Sequence, residues 1–494
     1  MKILGLSAFG DGAGAALVVD GKTIAAAEEE RFSRRPGDPS LPRRAARFCL
    51  ARGGLAPGDL DRLVFSEKPL RRFERVLATQ LSAFPRSSKS FARELFVWLG
   101  DRLWLRSQLS EEFGVEPARV SFTAHHAAHA AAAYFASPFD DAAILIADGS
   151  GEWATTTLAR GAGAEIETLA EMHFPHSLGL VVQAVARHLG FHAHGAEELV
   201  SALAAHGRPR FADELARAIA LQDGGHFAVD ETYFDIDPTE GLVCSQRFGA
   251  SFGPARLSTD PLRMNGADAR DADLAASLQL VVENTLLGLA RELHRRTPSK
   301  RLCFGGSLAH NVAANARLVA DGPFADIFVP PAAGDAGTAL GAALLAHALL
   351  DSKRPAPIEG AFQGEDVLAE AGPNARTLAG DAERSSAMLA ALRDGRAVGW
   401  VRGRTELGPR ALGHRALLAD PKRADTVERI ARGIRRSESF LSFSPALPVE
   451  RAAEFFDVPA GADRLARMGQ VRLRAKDAAR AAAPHAIGVD GCAA

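Results

Sequence analysis

The apolar pattern of the first thirty residues is that of a strand, a glycine turn and a hairpin. Lys2–Leu6 is a short apolar run that predicts a buried strand, and Gly10-Asp11-Gly12-Ala13-Gly14 a turn of residues that tolerate positive φ. Ala15–Val19 and Lys22–Ala27 flank Asp20-Gly21, a dipeptide suited to a tight hairpin turn. The pattern returns later, with an apolar run at Ala142–Ala147, the loop Asp148-Gly149-Ser150-Gly151-Glu152, and a second strand at Thr155–Arg160. A strand–glycine turn–strand unit that occurs twice, each time followed by helical patterns, predicts a duplicated α/β core clasping a nucleotide between its halves. Helical spacing covers Ser90–Phe113 and Ala272–Arg295, the second with apolar residues on one core-facing stripe. Lys300–Asn311 reads as a strand running through Gly305-Gly306 into a helix, which lets a nucleotide approach the backbone at a helix N-terminus. Gly334–Gly337 opens a further helix over Thr338–Leu349. From Asp351 to Asn374 the chain is polar and rich in Pro and Gly, a linker composition, and a fresh domain starts near Ala379.

Composition mainly excludes. A chain of 494 residues has room for two or three domains, and a net charge of −2 gives no bulk field for nucleic acid or an anionic membrane. The four cysteines, Cys49, Cys244, Cys303 and Cys492, show no C-x-x-C spacing, so neither a disulfide framework nor a structural zinc site is expected. No apolar run is long enough to span a bilayer and the first residues lack a signal-type core, so the expected location is cytoplasmic.

The candidate chemistry centres on His125 and His129, which a helix would place on one face, one turn apart. Alone they are better read as satisfied histidines of an Ala-rich helix. With Asp148 and Asp335 in glycine loops they make a metal-ligand set, open to Fe²⁺, Mn²⁺ or Zn²⁺ alike. Gly149 and Gly151, with Gly305 and Gly306, would let backbone N–H groups reach a nucleotide, and Glu152 joins that loop. Arg404, Arg410 and Arg415, packed between glycine turns, are candidates for phosphate binding. Asp11 is a candidate nucleotide or metal sensor, set against the ordinary role of Asp-Gly in a turn.

Several stretches together resemble the O-carbamoyltransferases of antibiotic and nodulation-factor biosynthesis: Glu28-Glu29-Glu30-Arg31-Phe32-Ser33-Arg34, His125–Ala130, Asp148–Thr155, Phe174–Leu180, Gly334–Ala343 and Gly403–Pro421. The resemblance implies a duplicated actin/hexokinase-like (ASKHA) domain over residues 1–352, a linker over 353–378, and a shortened YrdC-like α+β domain over 379–494. It implies that the C-terminal domain makes carbamoyladenylate from carbamoyl phosphate and ATP. The N-terminal domain would then move the carbamoyl group to a hydroxyl or amine of a small natural product. It implies an Fe²⁺ site on His125, His129, Asp148 and Asp335, catalytic roles for Asp11, Arg410 and Arg415, and nucleotide contacts from Gly149, Gly151, Glu152, Gly305, Gly306, Arg404, Arg410 and Arg415.

The chain also departs from the family pattern. Asp11-Gly12 stands where His-Asp is usual, Leu199 replaces a lysine, and Phe440-Leu441-Ser442-Phe443-Ser444-Pro445 lacks an arginine that would face phosphate. A closing Leu-Leu-Asn-Thr-Ser-Phe-Asn segment is missing. Each lost charged hydrogen bond to a polyanion is worth roughly 1.5–3 kcal/mol, so the departures favour a kept transfer domain and a weakened activation domain. The alternative is a non-catalytic nucleotide-binding partner of an intact paralogue, and a second copy is the other protein partner left open. A sugar-kinase-like ATPase is disfavoured by the His-x-x-x-His pair.

Overall fold

The structure, a computed structural model, describes residues 1–494 apart from 86, 223–225, 238–239, 265, 267, 367–372, 436–437, 439 and 494. The run at Lys2–Leu6 extends into β1 (Lys2–Gly10), with Ile3, Leu4 and Leu6 fully buried, as a strand covered on both faces requires. β1 pairs antiparallel with β2 (Gly12–Val19), which pairs antiparallel with β3 (Lys22–Glu28). On its other side β1 runs parallel to β4 (Arg62–Phe65), and β4 to β5 (Val120–Phe122). The predicted five-residue turn is tighter than expected, because Gly10 pairs with Gly12 and only Asp11 lies between the strands.

The second half repeats this plan. β6 (Asp141–Ala147) is central, antiparallel to β7 (Ala154–Ala162), which pairs with β8 (Glu165–His173). Two short hairpins follow, β9 (Ile219–Leu221) with β10 (Phe227–Val229) and β11 (Phe234–Asp237) with β12 (Gly241–Cys244). β13 (Arg301–Gly305) then joins the other edge of β6 in parallel, and β14 (Asp326–Phe328) joins β13. The sheet orders are β3-β2-β1-β4-β5 and β8-β7-β6-β13-β14. One topology used twice is the duplicated actin/hexokinase-like architecture.

The halves meet where two helices cross, His125–Phe135 after β5 and Thr338–Asp351 after β14. Both are rich in Ala, and a Cβ at Gly341 would collide with the Ala128 carbonyl, so glycine is what lets the helices approach this closely. The helix expected over Ala272–Arg295 spans Arg270–Arg296. The one expected over Ser90–Phe113 is two helices, Ser88–Gly100 and Leu105–Phe113, because the chain leaves helical dihedrals at Asp101 (φ −133°).

Past Asp351 the described chain runs back along the first half, with Ala356 N–H donating to Gly21 O at 2.9 Å and Ile358 N–H to Ala136 O at 3.2 Å. Part of the expected linker, 367–372, lies outside the described residues. The C-terminal residues form a hairpin, β15 (Val398–Val401) with β16 (Arg415–Leu418), and a small sheet of β17 (Phe456–Asp457), β18 (Leu473–Ala475) and β19 (Cys492–Ala493). Phe440, Leu465 and Val471 share the second half's core with Leu302 and Phe304. Asn315 Nδ2 donates to Gln470 O, and Gln470 Nε2 to Pro330 O, both at 2.8 Å.

Candidate metal centre

His125 and His129 lie at the start of the crossing helix, both buried, with their Nε2 atoms 3.1 Å apart. Asp148 directly follows β6, and its Oδ2 stands 3.4 Å from His125 Nε2 and 3.7 Å from His129 Nε2. Asp335 opens the second crossing helix, and its Oδ1 keeps the same two distances, 3.4 and 3.7 Å. One ligand atom from each of the four lies within 4.8 Å of the others.

Each first carboxylate oxygen faces the cluster while the second is held by main chain. Ser307 N–H donates to Asp148 Oδ1 and Asp11 N–H to Asp335 Oδ2, both at 2.8 Å. A Cβ at Gly10 would strike Asp335 Oδ2, so that glycine makes room for the ligand. His125 Nδ1 lies 3.3 Å from Ser66 O, which can only accept, so Nδ1 carries a proton and Nε2 is the nitrogen turned toward the two carboxylates.

The donor set fits a cation. Burial works against a charged His125, yet the Asp148 and Asp335 carboxylates raise its pKa well above the ordinary value. Burial likewise works against a charged Asp335, yet His125 and His129 hold it well below the carboxylate range. Two imidazole nitrogens and two carboxylate oxygens, one from buried Asp148 and one from partly buried Asp335, converge on one point and suit a positive charge such as that of a divalent ion.

Two cavities meet at this cluster. One, of about 440 Å³, is lined by Asp11, His125, Asp148, Gly149, Asp335 and a wall from helices Pro69–Ser82 and Ser88–Gly100. The other, of about 540 Å³, lies toward Gly179, Phe191, His194, Ser307 and His310, and shares Asp11 and Asp335. Asp11 is open to the cleft yet enclosed by its walls. That burial, and the nearby Asp335, Glu197 and Asp148, push its pKa up to about 7. Gln183 Nε2 donates to Asp11 Oδ2 at 3.3 Å.

Other expected contacts fall elsewhere. Glu152 accepts Lys68 N–H at 2.7 Å and His125 N–H at 3.1–3.2 Å, so its carboxylate anchors the start of the ligand helix rather than facing a nucleotide. Gly149 lines the smaller cavity. Gly151 N–H is spent on Ala154 O at 2.8 Å and Gly306 N–H on Ala333 O at 3.0 Å. Gly305 lies inside β13 opposite Ile146, and a Cβ at Gly306 would collide with the Ala147 carbonyl. These last glycines serve close strand packing. The helix expected directly after Gly305-Gly306 starts later, at Val312, capped by Asn311 Oδ1 accepting Ala314 N–H at 3.0 Å.

Arg404 is a clasp, not a phosphate ligand: it donates to the carbonyls of Gly364 (3.1 Å), Ile24 (3.0 Å) and Gln363. Arg410 donates to His310 O at 2.9 Å and pairs with Glu198 at 3.4 Å. Arg415 faces Glu406 at 3.8 Å, near Arg31 and Glu28. Neither lines the cavity that holds the cluster. Sequence reasoning missed Ser66 and Ser307, which act through main-chain atoms, and the arginines of the smaller cavity, Arg72, Arg75 and Arg102. For Arg72 and Arg75 a signal existed, since residues three apart share a helix face.

A duplicated α/β fold with a His₂Asp₂ cluster at the joint of its halves defines the class of protein. The chain belongs to the carbamoyltransferase family: the model of the carbamoyltransferase N-terminus matches residues 2–344 and that of the C-terminus residues 389–494. It is 36% identical over 479 residues to the uncharacterized protein sll1178 of Synechocystis sp., covering 92% of this chain and 77% of that protein. It is 34% identical over 469 residues to nodulation protein NolNO of Sinorhizobium fredii, covering 91% of this chain but 64% of that one. To the 3'-hydroxymethylcephem-O-carbamoyltransferase of Streptomyces clavuligerus it is 29% identical over 253 residues, covering 51% of this chain and 47% of the enzyme. Among solved structures it is similar to (R)-2-hydroxyglutaryl-CoA dehydratase component A of Acidaminococcus fermentans, with 14% identity, 70% of this chain and 98% of that one covered, and a TM-score of 0.38. No helix among the described residues is long and apolar enough to cross a membrane.

Proposed function

We propose that this protein transfers a carbamoyl group to a hydroxyl or amine of a small natural product. The donor is carbamoyladenylate, formed when carbamoyl phosphate loses inorganic phosphate to water and the resulting carbamate oxygen displaces pyrophosphate from the ATP α-phosphate. The observation that carries this reading is the four-ligand cluster at the meeting point of two cavities, in a chain of the carbamoyltransferase family. Donor and acceptor can occupy different cavities and meet at Asp11, which lines both.

His125, His129, Asp148 and Asp335 would hold a divalent ion, Fe²⁺ by the family resemblance, which when bound supplies Lewis acidity to phosphate or carbamoyl oxygens. The residues of the chain supply position. The acceptor oxygen bonds to the carbamoyl carbon, the bond from that carbon to the AMP phosphate oxygen breaks, and AMP leaves with the electron pair. Asp11, lining both cavities, takes the acceptor's proton. Residues 1–352 are proposed as the transfer domain, 353–378 as the connection and 379–494 as the donor-forming domain.

The test uses the full chain with Fe²⁺, carbamoyl phosphate and ATP. Pyrophosphate release reports donor formation, and AMP release from supplied carbamoyladenylate in the presence of an acceptor reports transfer. AMP release without pyrophosphate release leaves a transferase that lacks its own activation step. ATP binding with neither product refutes the enzyme and leaves the nucleotide-binding partner of a paralogue.

A further inference from the structure

The wall of the smaller cavity built by helices Pro69–Ser82 and Ser88–Gly100 is basic and aromatic. Arg72, Arg75 and Arg102 line it, beside Phe9, Trp98 and Phe174. Arg72 is neutralised by an ion pair with Glu67. Arg187, which also lines the cavity, is tied to Glu240 at 3.2 Å and to the Leu242 carbonyl at 2.7 Å. Of the other two guanidinium groups, Arg102 has only a long ion pair with Asp101 and Arg75 has none among the described residues.

The Arg75 guanidinium has no ion pair or hydrogen bond among the described residues, and its Nε is buried without a partner. Its guanidinium carbon sits 5.2 Å from the Phe174 ring centre. Burial, and then the charge of Arg72, pull its pKa down to about 10. Arg102 lies 3.4 Å above the Phe9 ring, with Asp101 no nearer than 3.9 Å. Glu94 also lines the cavity, without an ion pair among the described residues. With Arg72 set against Glu67 and Arg102 loosely against Asp101, Arg75 is the guanidinium of the wall left without a counter-charge in contact. Burying an unpaired guanidinium is costly, and a site that keeps one is matched by an anion that arrives from outside.

We propose that the acceptor of this cavity is an acid. Its carboxylate or phosphate group is gripped by Arg75 and Arg102, and its flat apolar body lies among Phe9, Trp98 and Phe174. The inference rests on the transfer reading for calling the occupant an acceptor, but the binding itself requires no donor. The oxyacid at the wall keeps its negative charge away from the Asp11, Asp148 and Asp335 carboxylates, so the hydroxyl end of the molecule is the one that reaches the cluster.

The test is calorimetric titration of the full chain at low salt with hydroxymethylbenzoate and with its uncharged counterpart, hydroxymethylbenzamide. The benzoate is expected to bind at least about tenfold tighter, since one charge-assisted hydrogen bond is worth that much. Arg75→Gln and Arg102→Gln should each remove most of this preference and leave amide binding within about twofold. Arg75→Lys should restore part of it. Arg75→Gln relieves a buried charge and should unfold at no lower temperature than the parent; if it does not fold, Arg102→Gln decides alone. Inorganic phosphate as a competitor separates a site for either oxyacid from one shaped for carboxylate. Equal binding of benzoate and benzamide, or unchanged benzoate binding in the Gln variants, overturns the proposal. Charge-selective binding that survives while carbamoyl transfer fails would sink only the transfer reading.

Discussion

Glu152 holds the ligand helix from outside the cluster, and its removal separates positioning from ligation. Its buried carboxylate accepts the main-chain N–H groups of Lys68 and His125, the second being the first residue of the helix that carries both imidazoles. Glu152→Ala leaves the buried His125 amide and the part-buried Lys68 amide without an acceptor, at roughly 1–3 kcal/mol for each group when fully buried, so a loss of at most about 6 kcal/mol in unfolding free energy is expected. The same change frees the helix start, and removal of a group that orients a ligand typically weakens metal binding by about 10- to 100-fold. Urea unfolding monitored by circular dichroism gives the first quantity. Anaerobic Fe²⁺ titration against a competing chelator gives the second. Glu152→Gln, which keeps one acceptor oxygen and the shape, should fall between parent and Ala variant in both. If Glu152→Ala keeps parental stability and parental Fe²⁺ affinity, the anchoring role is wrong.

His129→Ala removes one of the four convergent donors and should abolish stoichiometric divalent metal in the purified protein, checked by elemental analysis; full occupancy would refute the ligand assignment. Gly341→Ala puts a methyl group against the Ala128 carbonyl at the helix crossing, and overpacking there should cost about 1–3 kcal/mol and lower Fe²⁺ affinity in parallel. Arg404→Ala should lower the melting temperature and leave ATP affinity unchanged, because its donors go to main-chain carbonyls; a selective loss of ATP binding would restore its phosphate role. His310 is kept neutral by burial, its pKa lowered from 6.5 to about 4. Between those values the unfolded chain binds the extra proton, so stability falls as pH drops through that window. His310→Asn should flatten this part of the stability–pH curve, measured by urea unfolding at a series of pH values.

Much of the fold was legible because apolar runs and glycine turns occur in the same order in both halves. β1, β6 and the Thr338–Asp351 helix lie where the pattern put them. The four residues of the cluster were legible as a group too, since His125 and His129 carry helical spacing and Asp148 and Asp335 sit in glycine loops. What could not be read was the destination of main-chain groups. Gly151 and Gly306 look like an open phosphate cradle in one dimension, but their N–H groups close on Ala154 and Ala333 once the strands pair. Glu152 looked like part of that loop's chemistry, and only the three-dimensional position of His125 N–H shows what its carboxylate holds. Arg404 illustrates the same limit, because a guanidinium flanked by glycines suits a phosphate and three carbonyl oxygens equally well. Arg75 and Arg102 belong to the helical wall, whose break at Asp101 is invisible to apolar periodicity.

The supports of the cluster are backbone atoms: the Ser307 amide under Asp148, the Asp11 amide under Asp335, and the Ser66 carbonyl beside His125. A main-chain atom survives almost any exchange of the side chain it belongs to. Ligand geometry is therefore insulated from sequence drift at its own supporting positions, provided the turns keep their path. The walls of the cavities are free to change around a fixed centre. A lineage can change what the smaller cavity admits by replacing residues such as Arg75, Trp98 or Arg102 without first rebuilding the cluster beside it.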